Sequence, residues 1–160
     1  YMAGSGGIGM SNEQVAMIVV IYSFAGVLTS RIWGKLFDRV SFIPYRVSLN
    51  FFLLLSVLIF FSSHSFLGLA IGSALAGVAN GGASIAWSLW VTKLAPKGLE
   101  AEYMGAHVFM TGIRGACAPF LGYLILGICG FEGMAYFSCT LIFISGLIFL
   151  TALKSPRLMV

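Results

Sequence analysis

An arginine well inside an apolar segment is the residue of this chain with the most chemistry to offer. Arg114 lies eight residues beyond Ala106, roughly 12 Å along the axis of an α-helix. At about 100° per residue, Tyr103, His107, Thr111, Arg114 and Ala118 fall on approximately one face. A charge turned toward lipid at mid-membrane costs at least about 2.5–3.5 kcal/mol. The face is therefore expected to point into a bundle or a cavity, where it would bind an anion or couple to protons. The alternative is structural: an Arg bonded to backbone carbonyls, bonded to a carboxylate on a helix outside this chain, or snorkelling to the interface. Histidine is the side chain whose charge changes near neutral pH. His107 is either a proton relay or a satisfied polar contact.

A second polar set lies on the segment before it. Asn80, Ser84 and Ser88 continue the i, i+4 row begun by Gly68, Gly72 and Ala76, and Ser73, Gly77 and Gly81 form a neighbouring row. Small residues allow helix backbones to approach closely in a membrane, so Gly77 and Gly81 are expected at a packing ridge. Asn80 and Ser84 need either a neighbouring helix or a water-filled path. Trp33, Trp87 and Trp90 suit a membrane-interface belt; Trp87 sits deeper and is the candidate for contact with a solute. Past Arg114, Gly115, Pro119 and Gly122 suggest a kinked helix, because proline removes one helical hydrogen bond. Such a helix is either a hinge or a static bend.

Enzyme chemistry finds no purchase in this sequence. It has no H-E-x-x-H, no G-x-S-x-G, no phosphate-binding loop and no paired intramembrane carboxylates. The acids Glu13, Asp38, Glu100, Glu102 and Glu132 are all expected in loops. Cys117, Cys129 and Cys139 lack ligand spacing and are expected to be small buried thiols. No catalytic residue, metal site or cofactor is expected.

These residues must be positioned by membrane helices. Of the 160 residues, 59% are hydrophobic and 9% charged, against about 25% charged in soluble domains. A chain this apolar cannot cover its own hydrophobic surface as a small globule. Roughly 20 apolar residues cross a bilayer as a helix. Five segments qualify, at about 14–33, 44–63, 66–91, 104–128 and 134–153. The nearly unbroken apolar run Phe51–Phe61 excludes the alternation of a transmembrane strand. Short turns at 62–65 and 129–133 make neighbouring spans antiparallel. The loops at 33–46 and 92–103 and the tail at 154–160 then share one side. Arg31, Lys35, Arg39, Arg46, Lys93, Lys97, Lys154 and Arg157 all lie on that side, and the opposite side has no Lys or Arg. Positive charge marks the cytoplasm, so the N-terminus is expected outside and the C-terminus inside. The net charge of +4 is thus a matter of topology rather than nucleic-acid binding. The chain opens on Tyr1 and is expected to be a piece of a longer one, with no signal peptide.

The charged loop carries more than orientation. Gly34-Lys35-Leu36-Phe37-Asp38-Arg39 resembles the signature loop of the major facilitator superfamily, G-x-L-x-D-R-x-G-R-R. That loop joins the second and third helices of a six-helix half. The match covers Gly34, Leu36, Asp38 and Arg39; the following Val40–Arg46 lacks the G-R-R continuation. Gly115, Pro119 and Gly122 resemble a degenerate form of a Gly- and Pro-rich span of the family. The arginine of the family's fourth-helix motif would precede Gly77, but Ala74 and Leu75 stand there. The resemblance therefore implies the second half of a transporter, covering its eighth to twelfth helices without the seventh. It also implies that Gly34, Leu36, Asp38 and Arg39 form a gating loop, with Asp38 and nearby basic residues holding one state of an alternating-access cycle.

The expected fold is an all-α integral membrane bundle of five transmembrane helices, an incomplete six-helix half of a twelve-helix transporter in the cell (inner) membrane. The expected function is secondary active transport of a small solute along a path that includes Arg114, His107, Thr111, Asn80, Ser84 and Trp87. The solute is anionic if Arg114 faces the cavity. Its partners are the lipid bilayer and the remaining helices of the transporter. The alternative is a non-transporting regulatory or assembly subunit on the same fold.

Overall fold

Ser11 starts the first helix with a reciprocal cap. Its hydroxyl accepts from the Gln14 backbone N–H, and its own N–H donates to the Gln14 side chain. In the computed structural model, which describes Met2 and residues 8–152, helix α1 then runs Asn12–Arg39. Its 28 residues span about 42 Å, more than the roughly 30 Å hydrocarbon core. Val40 takes an extended conformation and ends it, its N–H still donating to Leu36. Helix α2, Phe42–Ser62, begins two residues later, with Pro44 in the first turn where its missing N–H costs nothing. Ser65 caps α3, Phe66–Leu89, by accepting from Gly68 N–H. A single turn, α4, covers Val91–Leu94. Helix α5, Glu100–Ala152, is two helical arms divided at Gly130, whose φ of 68° and ψ of −171° break the helical path. Such a positive φ favours glycine.

Helices α1, α2, α3 and α5 are long and apolar enough to cross a membrane, and the chain is an all-helical integral membrane protein. Several boundaries differ from the sequence expectation. The stretch 34–39 is helix rather than loop, because only Val40 and Ser41 are needed to reverse the chain. Gly34, Leu36, Asp38 and Arg39 therefore occupy the last turns of α1. The reversal expected over 129–133 needs little more than Gly130. The five acids stand in terminal turns of helices, not in free loops. Lys154 and Arg157 lie outside the described residues.

Helix α3 is the centre of the bundle, packed against α1 on one side and α2 on the other. Its glycines make that possible. A Cβ on Gly81 would lie 2.6 Å from the Gly26 carbonyl oxygen of α1, and one on Gly77 would collide with the Tyr22 carbonyl. Gly72 and Gly82 accept Phe60 and Leu49 of α2 as closely. The second arm of α5 covers α2, where Asn50 donates to the Ser145 hydroxyl at 3.2 Å. The first arm runs antiparallel to the end of α3, and Ala135 on the second arm is the one buried residue of α5.

The densest packing lies where α1 ends and α2 begins. Trp33, Phe37, Tyr45, Leu49 and Ala86 form it. The Tyr45 hydroxyl donates to the Gly82 carbonyl at 2.9 Å, and the Trp33 and Phe37 rings meet Tyr45 edge-on at 5.3 and 5.2 Å. Trp33 is thus a core residue and not part of an interface belt. Cys117 and Cys129 are exposed and Cys139 is half-buried. Cys117 and Cys129, expected to be buried, lie open because the first arm of α5 has few neighbours.

Candidate functional site

The polar residues of α3 and of the first arm of α5 face each other because the two helices run antiparallel. The Trp87 and His107 rings lie 4.4 Å apart at their centres, and Trp90 reaches both His107, at 5.2 Å, and Tyr103, at 6.5 Å. One turn or more further along, the Arg114 guanidinium lies over the Trp87 ring at 5.5 Å, within cation–π range. Trp87, Trp90, His107 and Arg114 wall a cavity of about 500 Å³ with Arg46, which enters from the second turn of α2. Arg46 itself lies over the Phe149 ring at 5.5 Å. A second cavity, of about 240 Å³, shares Arg46 and Ala83 and adds Tyr22, Asn50 and Asn80.

The candidate residues divide into two groups. The structure brings Arg114, His107 and Trp87 to one cavity and Asn80 to its neighbour. Thr111 and Ser84 line neither. The Thr111 hydroxyl donates to the His107 carbonyl at 2.7 Å and the Ser84 hydroxyl to the Asn80 carbonyl at 2.9 Å. Both are satisfied on their own helix, as hydroxyls four residues past a carbonyl often are. His107 Nε2 and Trp90 Nε1 are buried and have no hydrogen-bond partner among the described residues.

The remaining candidates are separated from this site. Gly77 and Gly81 form the α1–α3 seam. Gly115 and Gly122 have open space where a Cβ would project. The first arm of α5 continues through Pro119 and leaves helical geometry at Gly130. Asp38 is exposed and lies in the last turn of α1, the end at which a helix carries partial negative charge. It makes no hydrogen bond or ion pair among the described residues. The contact that ties this end of α1 to the rest comes from Lys93 in α4. Its ammonium donates to the Val40 carbonyl at 2.5 Å and lies 4.7 Å from the Phe37 ring centre.

Three contributors escaped sequence reasoning. Arg46 and Lys93 counted only as markers of the cytoplasmic side, and Asn50 was lost in an apolar run. The i, i+4 spacing of Arg46 and Asn50 on α2 is the signal that places them on one face. Nothing local marks Lys93.

A family model described as Major Facilitator Superfamily matches residues 4–158, nearly the full length. The chain matches no curated protein and no solved structure.

Proposed function

Because the chain belongs to the major facilitator superfamily, a family of membrane transporters, we propose that it is part of a secondary active transporter that moves a small solute by alternating access. The observation that carries this reading is the cavity at Arg46, Trp87, His107 and Arg114. Charged groups inside an apolar bundle are costly and mark solute pathways. A space of this size, with an aromatic wall and a few polar groups, suits a small solute.

The five spans are α1, α2, α3 and the two arms of α5. They form the second half of the transporter, its eighth to twelfth helices. The bundle lies in the cell (inner) membrane, with the N-terminus outside and the Lys- and Arg-bearing ends in the cytoplasm. Exposed Phe120 and Tyr123 on the first arm of α5, together with Gly115 and Gly122, would face lipid or the helices of the other half. Gly34, Leu36, Asp38 and Arg39 act at the cytoplasmic gate. Asp38 meets its partner in a different state of the cycle or on a helix outside this chain.

One observation favours the second reading, a non-transporting subunit. The Ser84 and Thr111 hydroxyls are bonded to their own backbones, which leaves fewer groups to line a path. Reconstitution of the full-length protein into liposomes separates the two. A transporter exchanges at least one solute from a broad panel across the membrane. A subunit leaves the liposomes impermeable to all of them.

A further inference from the structure

Two arginines from different helices line one cavity, and no carboxylate lines it with them among the described residues. Arg46 and Arg114 both line the space of about 500 Å³. Glu102 lines an adjoining cavity, which shares Trp90 and His107 with this one. Like charges repel, and water inside a bundle screens them less than bulk solvent does.

Each guanidinium rests on an aromatic face, Arg46 on Phe149 and Arg114 on Trp87. Stacking occupies the planar face of an arginine and leaves its N–H edge free for oxygen acceptors. Neither guanidinium donates a hydrogen bond to a described residue. On the same wall, the buried Trp90 Nε1–H has no acceptor and the buried His107 Nε2 no hydrogen-bond partner among the described residues. The site is thus rich in donors and positive charge and lacks what would complement them. An oxyanion supplies both negative charge and acceptors, and arginine is the side chain best suited to hold one.

We propose that this cavity binds a small solute with two negative charges carried on oxygen, one for each guanidinium. A single charge would leave one arginine uncompensated, and a neutral or cationic solute would leave both. The proposal rests on the transporter reading for its role, but the binding site stands or falls separately.

The test is calorimetric titration of the purified full-length protein with oxalate, succinate, sulfate and phosphate, and with acetate, glucose and choline for comparison. At least one dianion is expected to bind about 10-fold or more tightly than acetate, and Arg46→Gln and Arg114→Gln are each expected to weaken it by about 10-fold or more. Arg46→Lys and Arg114→Lys keep the charge but lose the planar N–H edge, and should bind more weakly than the parent and more tightly than the Gln variants, which separates loss of charge from misfolding. Lys35→Gln, outside the cavity, should bind as the parent does. The proposal is overturned if no dianion outcompetes acetate or glucose, or if both Gln variants bind the dianion at parental affinity. Dianion binding without exchange in liposomes would leave the site in place and remove the transporter. Exchange of a neutral solute alone would do the reverse.

Discussion

The Lys93 ammonium donates to the Val40 carbonyl at 2.5 Å, joining α4 to the end of α1 across 53 residues of sequence. The carbonyl belongs to the residue that caps α1, so the cation also sits at the negative end of that helix. A hydrogen bond from a charged donor contributes about 1.5–3 kcal/mol. Lys93→Gln should therefore destabilise the bundle by about 1–2 kcal/mol, seen as a lower midpoint in thermal unfolding of the purified protein. An unchanged midpoint would mean the contact carries no weight.

Asp38 calls for a different measurement. It is exposed and has no partner among the described residues, so Asp38→Asn should leave stability nearly unchanged. As a gating residue it should still slow transport. The expected outcome is slower uptake by Asp38→Asn at matched protein level, with expression little affected. Normal uptake would remove Asp38 from the gate.

The glycines of α3 separate packing from open surface. Gly77→Ala forces a methyl group against the Tyr22 carbonyl, and overpacking of this kind costs roughly 1–3 kcal/mol. Gly115→Ala and Gly122→Ala meet nothing within 4 Å and should change stability by no more than about 1 kcal/mol. Comparing the monodisperse fractions and unfolding midpoints of the three variants checks this. Equal losses would contradict the assignment of Gly77 to a tight seam.

The polar path predicts an asymmetry between neighbours. Arg114→Gln should raise the apparent KM for the transported solute, because Arg114 faces the cavity. Thr111→Val, four residues from His107 on the same arm, should change KM little, since the Thr111 hydroxyl is bonded to its own helix. Uptake kinetics of both variants decide it; an unchanged KM for Arg114→Gln would make that arginine structural.

Much of the bundle was legible in the sequence because membrane helices are specified locally. The apolar runs marked the places of the long helices α1, α2, α3 and α5. The Gly77 and Gly81 row announced the seam with α1, since small residues at that spacing have few other uses in a membrane. What depended on distance in sequence was hidden. Trp33 looked like an interface residue until Tyr45 and Gly82 closed around it. Arg46 joined Arg114 only through the packing of α2 and of the first arm of α5 against α3. The charge and glycine of 34–39 suggest a loop, although Val40 and Ser41 suffice to reverse the chain. The polar face of the first arm was foreseen as one unit. The backbone bond of Thr111 divided it, and rotamer choice is not written in spacing.

Alternating access at the cavity is the centre of this account, and accessibility at Ala83 tests it most directly. Ala83 lines both cavities and accepts a small substitution. Ala83→Cys would be introduced into the full-length protein with its native cysteines replaced, then exposed to a membrane-impermeant thiol reagent in right-side-out and inside-out vesicles. The account predicts modification from both sides, slowed when a bound solute occupies the site. Modification from one side only, or from neither, would contradict it.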